Sequence, residues 1–157
     1  MKKLITLAAV FMLAGCTDLT ACSSEVAPTS FTQQTNRPGE YSYVVDSVYD
    51  GDTFRITMLG LPSELNPMKV RIRGIDSPER GSPQCDAERA GATRARIFAE
   101  QALRGQTVVL RNIAWDKYGG RINADVLVGP ERTSFATMLI AAGHARLYTT
   151  GRRGSWC

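Results

Sequence analysis

The chain has 157 residues, 43% of them hydrophobic, with 19 Lys and Arg against 15 Asp and Glu. That size and apolar content suit one domain around one core, and so small a charge excess does not by itself mark a polyanion-binding protein. His144 is the sole histidine, which excludes a multi-histidine metal site and any Ser/His/Asp triad built on another histidine; no Cys/His cluster has zinc spacing either. Following Gly143 at a predicted helix end, His144 is expected to cap that helix or lie exposed.

In chain order, Met1-Lys2-Lys3 and the apolar run 4–14 have the basic and hydrophobic parts of a secretory signal, too short to stay as a membrane span. Leu13-Ala14-Gly15-Cys16 closes the run and resembles a bacterial lipobox, which implies lipid on Cys16 as the first mature residue. Ordinary cleavage leaving a free Cys16 is the alternative, and Leu19-Thr20-Ala21-Cys22 is a second match weakened by Asp18 in its apolar part. The expected division is a signal over 1–15, a lipidated Cys and a Thr-, Ser- and Pro-rich tether over 16–39, and one domain over 40–157. The expected place is the cell envelope, with the membrane as a partner through lipid. Without Lys2 and Lys3 the count is 17 basic to 15 acidic residues, so local clusters matter more than net charge. Arg71, Arg73 and Arg80 near one turn form such a cluster, while Arg152 and Arg153 read as a solvated terminus. Export also makes Cys85 and Cys157 expected to pair, closing a loop of roughly 70 residues and stabilising the fold by about 4 kcal/mol on the chain-entropy model.

Residues 41–49 are β-prone, Asp50-Gly51 is a hairpin signal, and 53–59 alternate with Phe54, Ile56 and Met58 on one side. After a loop over 60–67, Met68, Val70 and Ile72 alternate with Lys69, Arg71 and Arg73, which is a strand with cations on its outer face. Gly74 and Pro78 bracket a stiff acidic turn holding Asp76 and Glu79. A helix is predicted over 86–103 with Ala95, Phe98 and Ala102 on one face, and Glu88 suits the dipole of its first turn. Residues 107–113 and 122–128 read as strands around a turn at 116–120. A second helix follows, capped at Thr133 or Ser134, with Phe135, Met138, Leu139 and Ala142 on its buried side; Leu147-Tyr148 add a short extended piece. This order predicts a mainly β domain with helices (α+β), a five-stranded barrel of the oligonucleotide-binding type with two or three helices.

Three separated segments offer one chemistry: Asp50-Gly51-Asp52-Thr53, the run from Arg71 to Glu79, and Asp116-Lys117-Tyr118-Gly119-Gly120-Arg121. Two carboxylates beside guanidiniums suit a hard cation and an anionic phosphate together, or a surface turn of self-neutralising ion pairs. In this order and spacing the segments resemble the thermonuclease family, the staphylococcal nuclease-like domain, from about Val44 to Tyr148. The resemblance implies a five-stranded barrel in which one Ca²⁺ assists hydrolysis of DNA and RNA to 3′-phosphates. It implies Asp52 and Asp76 as metal ligands with the carbonyl of Ser77, Glu79 as the group that activates or orients water, and Arg71 and Arg121 as the phosphate-facing guanidiniums. Ser77 stands where Thr is usual, and Gly119-Gly120 delays Arg121 by one residue, which on a strand reverses a side chain unless the turn absorbs it. Tyr118 and, with a one-residue offset, Tyr148 match substrate-contacting tyrosines or are packing residues; Lys117 joins them as a substrate contact. A Cys after the acidic turn paired with a terminal Trp-Cys is common in exported relatives, which again implies Cys85–Cys157, with Trp156 as a packing anchor. No protein partner is implied, and a monomer is expected. The competing readings are a non-catalytic single-strand-binding barrel and a structural envelope lipoprotein.

Overall fold

A computed structural model describes residues 36–149 and 151–157; the predicted signal, Cys16, Cys22 and most of the tether lie outside them. Eight strands and two helices follow in the order β1 (Glu40–Asp50), β2 (Thr53–Ile56), β3 (Met68–Ile72), β4 (Ile75–Asp76), α1 (Asp86–Leu103), β5 (Thr107–Trp115), β6 (Arg121–Val128), β7 (Thr133–Ser134), α2 (Phe135–Ala141) and β8 (Arg146–Leu147). Strand β1 pairs with β2 and β5, β2 with β3, and β5 with β6, all antiparallel. A parallel pairing of β3 with β6 closes the circuit, so five strands form the expected barrel.

Alternation determines which residues fill it. Phe54 and Ile56 of β2, Val70 and Ile72 of β3, Val108 and Leu110 of β5, and Ala124 and Val126 of β6 are buried, and Phe135 and Leu139 of α2 join them. The strand expected over 53–59 stops at Ile56, because the Asn66 side chain bonds both the N–H and the C=O of Met58 and takes the place of a strand neighbour. Strand β5 runs past the expected end at Ile113 to Trp115 through an irregularity between Arg111 and Ala114, where Asn112 adopts φ 52°. The acidic turn is less of a loop than expected: Ile75 and Asp76 pair with Leu147 and Arg146, which fastens it to the last ordered strand.

Helix α1 keeps its predicted bounds, with a buried stripe of Glu88, Ala92, Ala95, Ala99 and Leu103 flanked by Phe98 and Ala102. Small residues there let the helix lie close on the barrel. At Gly51 the approach is so close that an added Cβ would stand 2.7 Å from Ala95 Cβ and 3.1 Å from Ser77 Cβ. The glycine between Asp50 and Asp52 is therefore a packing requirement. His144 is half-buried, its ring 5.0 Å from that of Phe98. Cys85, the N-cap of α1, is joined to Cys157 with Cα atoms 6.0 Å apart across 72 residues of sequence.

Replacing both Cys85 and Cys157 by Ser is expected to lower unfolding stability by about 2 to 5 kcal/mol, read from urea denaturation; an unchanged midpoint would contradict the loop-closure account. Gly51→Ala is expected to destabilise the fold, and Ala95→Gly in the same chain to recover part of the loss. Strict additivity in that double-mutant cycle would show that the two sites do not meet.

Candidate active site

Asp52 stands where β2 begins and Asp76 ends β4; at 2% and 1% exposed, both are almost fully buried. Arg71 of β3 reaches between them. Its Nη1 donates to Asp52 Oδ1 at 2.6 Å, its Nη2 donates to the Ile75 carbonyl at 3.3 Å, and the same Nη2 lies 4.0 Å from Asp76 Oδ1. The N–H of Ser77 donates to Asp52 Oδ2 at 3.2 Å, so the hairpin and the acidic turn are joined directly. Asp50, buried beside them, accepts the Asp52 N–H; burial first, and then the neighbouring Asp52 charge, pushes its pKa up to about 7.

Asp76 collects donors from the end of the chain. Its Oδ2 accepts Arg146 Nη2 at 3.1 Å and Trp156 Nε1 at 3.0 Å. Its Oδ1 is buried and accepts no hydrogen bond, although Arg153 Nε stands 3.3 Å away without the alignment for one. Arg153 Nη1 donates to Glu79 Oε2 at 2.9 Å. Burial opposes the Arg153 charge, but the carboxylates of Asp76 and Glu79 outweigh it and raise its pKa. The expectation of a solvated tail is thus wrong for Arg153: the disulfide draws the terminus back, and two acids hold the guanidinium. Trp156 is more than a packing anchor, since its indole N–H is spent on Asp76 while Arg146 lies 4.1 Å from its ring.

Glu88 has a role that the helix dipole did not suggest. Buried in the first turn of α1, it accepts the N–H of Glu79 at 3.1 Å and of Gln84 at 2.6 Å, clamping the acidic turn onto the helix. The signal was a Glu three residues after the N-cap, from where a side chain can reach back to free N–H groups.

The delayed Arg121 keeps its direction. Gly119 and Gly120 adopt φ 72° and 61°, a pair of left-handed residues that absorbs the extra position within the turn. Asp116 organises that turn by accepting the Tyr118 N–H at 2.9 Å, Arg121 Nη2 at 2.9 Å and Asn123 Nδ2 at 3.3 Å. Burial raises the Asp116 pKa, but the Tyr118 N–H and the Arg121 guanidinium outweigh it and hold the acid below its ordinary value. Arg121 is then in register with Lys69, and buried Ile122 with buried Val70, so Arg121 faces outward with Arg71.

Two openings meet at these arginines. A cleft of about 660 Å³ is lined by Arg71, Lys117, Tyr118, Arg121 and Tyr148 among others, and a recess of about 140 Å³ by Asp50, Thr53, Arg71, Glu79 and Arg121. Arg153 borders both and also a third opening lined by Asp76, Ser77 and Glu79. Tyr118 is 77% exposed with Lys117 Nζ 4.9 Å from its ring, while the Tyr148 hydroxyl donates to the Gly151 carbonyl. The expected cluster of Arg71, Arg73 and Arg80 disperses: Arg73 turns to Asp125 and the Asn112 carbonyl, and Arg80 to the Tyr49 carbonyl. Among the described residues no three His, Cys, Asp or Glu side chains gather into a ready metal cluster. The donor set is instead Asp52 and Asp76, hard oxygens of which one, Asp76 Oδ1, has no donor; that fits a hard divalent cation completed by carbonyl and water.

The family model for staphylococcal nuclease homologues matches residues 69–155. No curated protein matches the chain. The matched span carries Arg71, the acidic turn, Arg121 and the tail, and the Asp50–Asp52 hairpin that precedes it is bonded to it through Arg71 and Ser77. With more than half its length matched, and with a closed five-stranded barrel, the chain belongs to the staphylococcal nuclease homologue family.

Proposed function

We propose that the chain is a Ca²⁺-dependent endonuclease that hydrolyses phosphodiester bonds of DNA and RNA to leave 3′-phosphates, held at a membrane through lipid on Cys16. The observation that carries the reading is the convergence of Asp52 and Asp76 on Arg71, with Arg121 on the same cleft wall. Asp52, Asp76 and the Ser77 carbonyl would hold the cation, which when bound supplies Lewis-acid polarisation of a phosphoryl oxygen. Arg71 and Arg121 bring two guanidiniums to one face and meet the charge that grows on the phosphoryl oxygens during attack. Glu79, less buried than the two aspartates and lining the recess, orients a water and accepts its proton. Water adds to phosphorus, the bond to the 5′ oxygen breaks, that oxygen takes a proton from solvent and leaves as a hydroxyl, and the phosphate stays on the 3′ side. Lys117 and Tyr118 at the exposed rim contact the strand; Tyr148 lines the same cleft but spends its hydroxyl on Gly151.

A specific observation favours a second reading, a barrel that binds strands without cutting them: Arg153 already neutralises Asp76 and Glu79 from within the chain. The two readings part on catalysis. Purified protein should digest DNA and RNA with Ca²⁺ present and stop on chelation, with product ends that phosphatase treatment alters. Retention of intact strands with no cleavage in any divalent cation would favour the binder. Arg71→Lys, which keeps charge but loses the planar fork, should lower kcat by about 10²- to 10³-fold. Asp52→Asn should abolish Ca²⁺ dependence together with turnover; full activity in either variant would remove the assigned site.

A further inference from the structure

The barrel face beside the cleft carries charge that the proposed hydrolytic residues leave unused. Arg55 in β2 is in register with Lys69 in β3, and Lys69 with Arg121 in β6, so three neighbouring strands hold cations in one row. Phe54, Val70 and Ile122, adjacent in sequence, are buried, and alternation sends the row to the outer surface. Tyr49, near the end of β1 and 38% exposed, gathers the row's free end. Its ring centroid lies 5.5 Å from the Arg55 guanidinium, 5.7 Å from that of Arg80 and 5.8 Å from Lys69 Nζ. Arg80 comes from the far side of the acidic turn, held by donation from its Nη1 to the Tyr49 carbonyl at 2.8 Å.

Among the described residues Arg55, Lys69 and Arg80 enter no ion pair, whereas Arg121 and Arg146 each have one and Arg71 and Arg153 each have two. Three like charges around one ring repel one another, and the ring quadrupole offsets that repulsion only in part. An external polyanion would complete the cluster. The patch runs into the site: Tyr49 and Lys69 line the same recess as Arg71, Glu79 and Arg121. Lys117 and Tyr118 border the larger cleft instead, which shares Arg71, Arg121 and Arg153 with the recess.

We infer that Tyr49, Arg55, Lys69 and Arg80 form a subsite for the sugar-phosphate backbone of a nucleic-acid strand, continuous with the recess and separate from the cleft that Lys117 and Tyr118 line. The inference rests on the nuclease reading and deepens it. The subsite reads phosphate and not base, because cations crowd the Tyr49 ring where a base would stack. Its continuity with the recess favours a strand over an anionic membrane as the occupant.

The test uses the full protein in chelator with fluorescein-labelled oligothymidylates of roughly 3 and roughly 12 nucleotides, the dissociation constant being read by anisotropy from about 20 to about 200 mM KCl. On the longer strand, Arg55→Gln/Lys69→Gln/Arg80→Gln should reduce the slope of log K against log salt by about 2, from three lost phosphate contacts at roughly 0.7 each. Arg55→Lys/Arg80→Lys should keep the wild-type slope, which a packing role for the guanidiniums would not. A triple variant with the wild-type slope overturns the subsite while leaving the nuclease reading in place. Loss of binding to phosphatidylglycerol vesicles with the strand slope unchanged also overturns it and gives the patch to the membrane. A wild type that neither binds strands nor cleaves them with Ca²⁺ overturns the nuclease reading as well.

Discussion

The site depends on one buried contact, the 2.6 Å bond between Arg71 and Asp52. Asp52 is almost fully buried, and a polar group so placed is costly without partners; the guanidinium supplies one and the Ser77 N–H another. Such a pair adds little net stability over an apolar substitute, yet losing one partner costs about 3 to 5 kcal/mol because the other charge is stranded. Its value here is positional. Through it β3 holds the hairpin turn before β2 against the acidic turn, and two carboxylates distant in sequence come to share one guanidinium.

A second layer keeps that arrangement from relaxing. Glu88 clamps the acidic turn from α1, Gly51 lets α1 approach the hairpin, and β8 pairs with β4 from the opposite side. The Cys85–Cys157 bond ties the helix start to the chain end, and the segment it closes places Arg153 and Trp156 on Asp76. Arg71, Arg146, Arg153 and an indole N–H thus surround one aspartate, yet its Oδ1 still lacks a hydrogen bond. Positive charge is abundant there, and what Oδ1 lacks is an aligned donor.

Much of this is legible in the sequence. The period-two run around Arg71, the 3.6-residue stripe of α1, the Ser134 cap of α2 and the turn glycines each carry a local signal, because backbone geometry repeats over a few residues. The Asp-Gly-Asp hairpin, the acidic turn and the Lys-Tyr-Gly turn are each weak alone, and it is their resemblance to the thermonuclease pattern, in order and spacing, that groups them as a set. Glu88 and Arg153 make contacts that no local pattern announces. Glu88 stands in the first turn of the helix as expected, but its N–H partners, Glu79 and Gln84, are set by how the turn folds back on the helix. Arg153 was assigned to solvent because only the disulfide and the buried acids give a terminal arginine somewhere to go.

The linear chain alone determined most of the elements, the faces they bury and the identities of the acids and arginines, since these follow from local periodicity and side-chain chemistry. Tertiary structure alone decided whether Arg121 faces the cleft, because a one-residue insertion can reverse a strand side chain or vanish into a turn. Two consecutive left-handed glycines chose the second outcome. It also decided that Arg55, Lys69 and Arg80 meet over Tyr49, since barrel closure sets the register between strands and no local pattern encodes a distance across them.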